Sequence, residues 1–253
     1  MKLKLVAVAI ASALFATHAH AAAVPVDLSS WTKDGNGNWT LAPDNNSVFQ
    51  SLNSAPTTFH NGENSQGKAL AGTITVETTA DDDFIGFVLG YTQGDIDGNT
   101  DTDYILIDWK QLNQAGWDAG MSISRVTGAI QTCGTCTGTD PWDHDGNVEL
   151  LARANTLGNV GWSDNTTYNF EIEFTATNIK VFVDGVLQFN IFGTFADGAF
   201  GFYNFSQERV RYAGITEEVL PPASEVPLPA ALPLLLSGIG ALGFFSRKKR
   251  KAA

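Results

Sequence analysis

Tyr168, Phe170, Ile172 and Phe174 alternate with Asn169, Glu171 and Glu173. An extended chain points successive side chains to opposite faces, so this period of two is that of a half-buried strand. Next along the chain, Ile179–Val183 and Val186–Phe192 flank Asp184-Gly185, a dipeptide that closes a tight hairpin because both residues tolerate positive φ. Leu70–Val76 alternates less cleanly. Phe84–Tyr91 and Tyr104–Trp109 are apolar on both faces, as central strands are. Ala199–Phe205 and Val210–Ile215 complete the set. No window between the two ends of the chain carries a helical period. Short strands punctuated by Gly, Asn and Asp predict an all-β protein, a β-sandwich or jelly roll.

The two ends read differently. Lys2 and Lys4 precede an apolar run, Leu5–Ala16, and small residues follow, with A-x-A sites at Ala19-His20-Ala21 and Ala21-Ala22-Ala23. This pattern predicts a secretory signal peptide over residues 1–23, cleaved after Ala21 or Ala23. At the other end, Val226-Pro227-Leu228-Pro229-Ala230-Ala231 leads into an apolar stretch, and Arg247-Lys248-Lys249-Arg250-Lys251 follows it. Leu228 to Ser246 is 19 residues, enough for a helix to cross a hydrocarbon core of about 30 Å. The five cations belong on the cytoplasmic side. This tail resembles the bacterial PEP-CTERM sorting signal, departing from it where Leu228 stands in place of a frequent Glu. The resemblance implies recognition by an exosortase-type processing enzyme. An ordinary C-terminal membrane anchor is the simpler alternative, and it too leaves the domain outside. Residues 217–227, with Pro221-Pro222, read as a stiff extended linker.

The region between the ends is strongly acidic. All 27 acids lie between Asp27 and Glu225, against 8 bases, a net charge of −19. Such a surface repels nucleic acid and acidic polysaccharide and attracts divalent cations. Cys133 and Cys136 are the two cysteines. With no second C-x-x-C or His pair, zinc is not expected. In an exported chain the pair is expected to close a local disulfide over Gly134-Thr135, in preference to a redox role.

Four segments carry a second resemblance. They are Asp81-Asp82-Asp83-Phe84-Ile85-Gly86-Phe87-Val88-Leu89-Gly90-Tyr91, Tyr104–Gln111, Val160–Asp164 with Thr167-Tyr168, and Phe200–Glu208. In that order they resemble the thrombospondin C-terminal domain. The resemblance implies a lectin-like jelly-roll β-sandwich over about residues 24–216, calcium binding, and work in adhesion and matrix contacts.

The chain departs from that family in its turn Thr92–Asp103, which is longer than usual and holds Asp95, Asp97, Asn99, Asp101 and Asp103 at every second position. Calcium takes six to eight oxygen ligands at about 2.3–2.6 Å, and a flexible acidic loop can supply them. The D-x-D-G-N string recurs at Asp143, Asp145 and Asn147, and more weakly over Asp34–Asn38. None is an EF-hand, because the glycine comes too early and no Glu closes the loop. The rival reading is solvated turns, where Asp, Asn and Gly are favoured in any case. Asp81–Asp83 either join a metal site or simply start a strand. His60 and His144 read as loop residues.

Trp109 and Trp162 lie inside the family segments and are expected in the core. Trp117 and Trp142 lie in loop-like acidic contexts and are the candidates for a ligand face. Glu171 and Glu173 share a strand face and are the best pair for glycosidase chemistry, but a third acid is missing and exposure explains them. No G-x-S-x-G or phosphate-cradling glycine loop occurs. The sequence therefore predicts an exported, calcium-stabilised binding or adhesion module at the cell surface or in the extracellular matrix, with polysaccharide as a candidate ligand. A carbohydrate-active enzyme on the same scaffold and a purely structural matrix protein are the alternatives.

Overall fold

The computed structural model describes residues 22–99, 101–114, 118–130 and 141–221. The expected signal peptide up to Ala21, the sorting tail, Trp117, Cys133 and Cys136 lie outside the described residues, as does all of the expected linker beyond Pro221. The described strands begin with β1 (Val24–Pro25), β2 (Thr32–Gly35), β3 (Trp39–Leu41), β4 (Ser47–Gln50) and β5 (Thr57–His60). Next come β6 (Lys68–Val76), β7 (Phe84–Tyr91), β8 (Tyr104–Lys110), β9 (Gly120–Val126) and β10 (Val148–Arg153). The last are β11 (Thr167–Phe174), β12 (Asn178–Val183), β13 (Val186–Phe192), β14 (Ala199–Phe205) and β15 (Val210–Val219). Among the described residues, helix is limited to two short 3-10 turns, Leu28–Ser30 and Asp95–Asp97.

Two antiparallel sheets result. Sheet I runs β13-β12-β11-β6-β15-β4-β3, with β1 paired to β15. Sheet II runs β10-β9-β8-β7-β14-β5-β2. The core lies between them. Ile85, Phe87 and Leu89 of β7, Ile105, Ile107 and Trp109 of β8, and Phe200 and Phe202 of β14 face Ile74, Phe170, Ile172, Phe174, Val181 and Tyr212 from sheet I. Burying each large apolar side chain contributes about 1.5–3 kcal/mol, so this layer is the main source of stability.

Sheet II is covered on its other face as well. Phe84 and Val88 of β7, Tyr104 and Leu106 of β8, and Tyr203 and Phe205 of β14 form a second apolar cluster there. Ile96, from the turn between β7 and β8, and Ile130 close over it. This explains why β7 and β8 read as apolar on both faces: all of their residues are buried, as are those of β14. Among the described residues sheet I has no such cover, and β11 keeps the strict alternation read from its sequence.

Two positive-φ sites shape the sheets. Asp184 and Gly185 have φ of 48° and 75°, the signs of a type I′ turn. Gly90, at φ 68°, makes a bulge that shifts the β7–β14 register between Ala199 and Phe200. Simple alternation would point Tyr91 into the core with Leu89. The bulge turns it to the outer face, where it joins the second cluster.

The structure corrects the sequence reading of two particular groups of residues. β15 continues past Ile215 to Val219, so Glu217 and Glu218 are strand residues paired with Leu70 and Ala69 rather than the start of a linker. His60 is a buried residue of β5, not a loop residue. In both cases the ladder comes from strands far away in sequence.

Candidate metal centre and ligand face

Asp81, Asp82 and Asp83 lead into β7. Three distant segments fix their backbone. The Asp83 N–H donates to Gln207 Oε1 at 3.1 Å, and its carbonyl accepts from Trp162 Nε1 at 3.1 Å. The Asp82 carbonyl accepts the Gln111 N–H at 3.0 Å. With the chain held this way, one carboxylate oxygen from each acid lies within 4.8 Å of the others. Among the described residues this is the one trio of His, Cys, Asp or Glu side chains so gathered. Asp83 is only 5% exposed, and its Oδ1 has no hydrogen-bond partner. Burial pushes the Asp83 carboxyl up to about 7, and the charges of Asp81 and Asp82 add to the rise. Burial also raises Asp81. Asn53 Nδ2 donates to Asp81 Oδ2 on the open side. Crowded carboxylates with a buried orphan oxygen are a poor arrangement for a bare protein and a good one for a hard cation.

The acidic turn between β7 and β8 is built differently. Asp95 is 2% exposed; its Oδ2 accepts the Thr92 N–H at 2.7 Å and its Oδ1 accepts Asn99 Nδ2 at 2.8 Å. Asp103 receives Arg125 in a two-pronged pair, at 2.7 and 2.6 Å. Asn99 Oδ1 accepts the Asp101 N–H at 3.1 Å, and Asp97 is exposed. Asp34, from the weakest of the three strings, accepts the Tyr91 hydroxyl and the Gly94 N–H, both at 2.6 Å. These side chains fasten the turn to itself and to sheet II, and they do not converge as the Asp81–Asp83 trio does.

The third acidic string folds over the outer face of sheet II. Asp145 Oδ1 caps the Gly146 N–H at 2.7 Å, and the Asn147 carbonyl accepts the Thr127 N–H at 2.9 Å. His144 adopts φ 49° and places Nε2 3.0 Å from Asp108 Oδ2. Asp143 is half-buried, with its Oδ1 enclosed and unpartnered. Trp142 is also half-buried: it meets Phe84 edge-on at 4.7 Å, and the Lys110 ammonium lies 4.9 Å from its ring centre. Together they wall a hollow of about 310 Å³ with Asp108, Lys110, Asp118 and Arg153. Of these residues the sequence reading had singled out only Trp142 and Asp143 as site residues. A signal for the rest was present: Asp108 and Lys110 are charges at the end of an otherwise apolar central strand. Glu173 is bound to Lys180 at 2.6 Å, and Glu171 faces outward on sheet I.

Residues 34–219 match the family model of the thrombospondin C-terminal region. The chain belongs to that family. Residues 225–251 match the PEP-CTERM protein-sorting motif, and together the two matches make this an exported protein of the cell envelope or extracellular space. The curated relatives include cartilage oligomeric matrix protein of Homo sapiens, 27% identical over 70% of this chain and 25% of that protein. Thrombospondin-2 of Gallus gallus is 28% identical over 77% of this chain and 17% of that protein. The chain thus spans a quarter or less of the length of these relatives. Among solved structures, the carbohydrate binding module CBM66 from Bacillus subtilis has a TM-score of 0.51 at 13% identity, covering 75% of this chain and 95% of that one. The VIP36 exoplasmic/lumenal domain, in a Ca2+/Man-bound form, has a TM-score of 0.51 at 11% identity, covering 78% and 86%. At such identities the likeness is one of fold, the lectin-like sandwich.

In this thrombospondin C-terminal sandwich the four resembling segments are neighbours. Three become β7, β8 and β14, which lie side by side in sheet II. The fourth carries Trp162 into the core, 2% exposed, where its indole N–H bonds the carbonyls of Asp83 and Trp109. The family pattern therefore converges on the backbone that carries the aspartate trio.

Proposed function

We propose that the protein is an exosortase-sorted surface or matrix protein whose sandwich is a calcium-stabilised, non-enzymatic binding and adhesion module, with polysaccharide as its ligand class. The aspartate trio carries this reading. Asp81, Asp82 and Asp83 supply only oxygen ligands, in keeping with calcium and not with zinc or a redox metal. The buried, unpartnered Asp83 Oδ1 is the atom a cation would satisfy. Bound there, calcium would neutralise three crowded carboxylates and pin the entry to β7. The acidic strings at Asp95–Asp103 and Asp143–Asn147 are secondary candidates, since Asp95, Asn99, Asp103 and Asp145 already have protein partners. The relatives' names, which speak of cartilage matrix and thrombospondin, and the sugar-binding titles of two structural neighbours support the adhesive reading. Among the described residues, Glu171 and Glu173 do not have the setting of a glycosidase pair, since Glu173 is bound to Lys180.

Calorimetry of the exported chain, stripped with chelator, tests the proposal. Calcium is expected to raise the melting temperature, and Asp83→Asn to remove most of the rise. An unchanged melting temperature at saturating calcium would overturn the calcium reading.

A further inference from the structure

The outer face of sheet II carries a polar row beneath its apolar cover. Thr58, Tyr203, Gly86, Asp108, Ser122 and Arg153 are successive cross-strand partners from β5 to β10. Gly86 makes the row possible. A Cβ there would lie 1.9 Å from the Ile107 carbonyl oxygen, so no larger residue fits between Tyr203 and Asp108. At the β5–β14 end the row is roofed by the outer cluster. At the β8–β10 end the roof stops and the 310 Å³ hollow begins.

We propose that this hollow binds one neutral, hydroxyl-rich unit of a glycan. The inference rests on the binding-module reading and gives that reading a site. Asp108 lines the hollow and is 1% exposed; its Oδ2 faces His144, while its Oδ1 has no partner. The enclosed Asp143 Oδ1 is a second orphan acceptor in the same wall. Two buried acceptors call for donors, and sugar hydroxyls provide them. The donors in the same wall are already held in place. Arg153 gives Nε to the Gly158 carbonyl and Nη1 to Ser122 Oγ, both at 2.7 Å, and Nη2 to the Ala119 carbonyl. Lys110 is 2% exposed and sits against Trp142 and Phe84. Such fixed groups lose little freedom when a ligand arrives.

Charge selects the class of ligand. Asp108, Asp118 and Asp143 outweigh Lys110 and Arg153 in the wall, and the surrounding surface is strongly acidic, so an anionic sugar is repelled. A metal alone is a poor fit, because these carboxylates do not form a close trio. Alternating acceptors and donors beside an aromatic wall suit a neutral hexose. The volume lies at the small end of the range of about 300–1,000 Å³ seen for ligand pockets, which suits one ring and not a buried chain. With Lys110 over its ring, Trp142 serves as a wall and not as an open stacking platform.

Titration calorimetry of the exported, calcium-loaded chain tests this. The probes are lactose, maltose, mannobiose and sucrose, with a galacturonate oligomer as the anionic comparison. At least one neutral probe is expected to bind, and the anionic one not to bind. Asp143→Asn, at a half-buried position where folding is not at stake, should weaken that binding by about tenfold or more, the loss of one good hydrogen-bonded contact. Asp108→Asn should do the same with an unchanged calcium-dependent melting shift. Asp83→Asn should lower that shift and leave a folded sample able to bind the sugar. Absence of binding by every neutral probe, or binding that both hollow variants leave intact, overturns the site. If the calcium shift persists in that case, the calcium-stabilised module stands without it.

Discussion

Two acidic segments flank β7, and they meet opposite fates. Before the strand, Asp81–Asp83 are crowded together by a backbone tied to Gln207, Trp162 and Gln111. After it, Asp95 and Asp103 are spread out, each with a protein donor of its own. The second segment has the more suggestive spacing, and the first has the better geometry. An acid is most available to a cation where the fold leaves one of its oxygens without a donor, as it leaves Asp83 Oδ1. Partners arrive from other strands: Arg125 from β9 reaches Asp103, and Tyr91 reaches Asp34 only because the Gly90 bulge turns it outward.

The largest expected effect would break this contrast outright. At one hundred times its dissociation constant, calcium should stabilise the folded chain by about 2.7 kcal/mol. That is roughly 5–10 °C for a domain of this size, at roughly 2–4 °C per kcal/mol. Asp83→Asn should remove most of the shift and Asp95→Asn should keep it. If calorimetry gave the reverse, the turn after β7 would be the metal site.

Tyr91→Phe sharpens the other half of the contrast. It removes one of the two donors to Asp34 Oδ2 and leaves the buried Ile96 N–H without its acceptor, and should cost about 1–3 kcal/mol in urea unfolding, with the calcium shift unchanged. A cost near zero would mean that the turn is held by something other than this network.

A pH dependence of smaller size should come from His60. Burial holds its imidazole below the usual range, and this outweighs the Gln93 hydrogen bond and the charges of Asp34 and Asp95. On acidification the unfolded chain therefore takes up the proton first. The contribution to stability is full above the unfolded value of about 6.5 and is lost as the pH falls from there through the depressed folded value. In unfolding curves recorded across that window, His60→Gln should show a flatter slope than the parent; an equal slope would remove His60 from the account.

Asp103→Asn should give the smallest change. Its pair with Arg125 is short, but the side chains are 34% and 39% exposed, and solvent screening limits such pairs to about 0.2–1 kcal/mol. A loss well above that in denaturant titration would show that the pair anchors the whole turn.

Much of the fold was legible along the chain. β7, β13 and β14 stand at the residues their apolar runs marked, and β11 and β12 begin one residue sooner than read, because burial on one or both faces writes itself into local periodicity. β9 was missed although Met121 and Ile123 point inward and Ser122 and Ser124 outward, a short alternation interrupted by Arg125. The end of β15 was hidden by the bulge at Gly214, which shifts register between Ala213 and Thr216 and breaks the pattern. The hollow was less legible still. Its wall draws Asp108 from β8, Asp118 from the approach to β9, Arg153 from β10 and His144 from a turn, and no local pattern links them.

The sequence by itself determined most of the sheet-forming segments, their hairpin, the acid surplus and the sorting motif, because each is a property of neighbouring residues or of composition. Only the tertiary structure decided which carboxylate oxygens stand free, as Asp83 Oδ1 does, and which are spent on Tyr91, Asn99 or Arg125. The reason is physical: a carboxylate's availability depends on the donors around it in space, and those come from strands that the chain reaches only after folding.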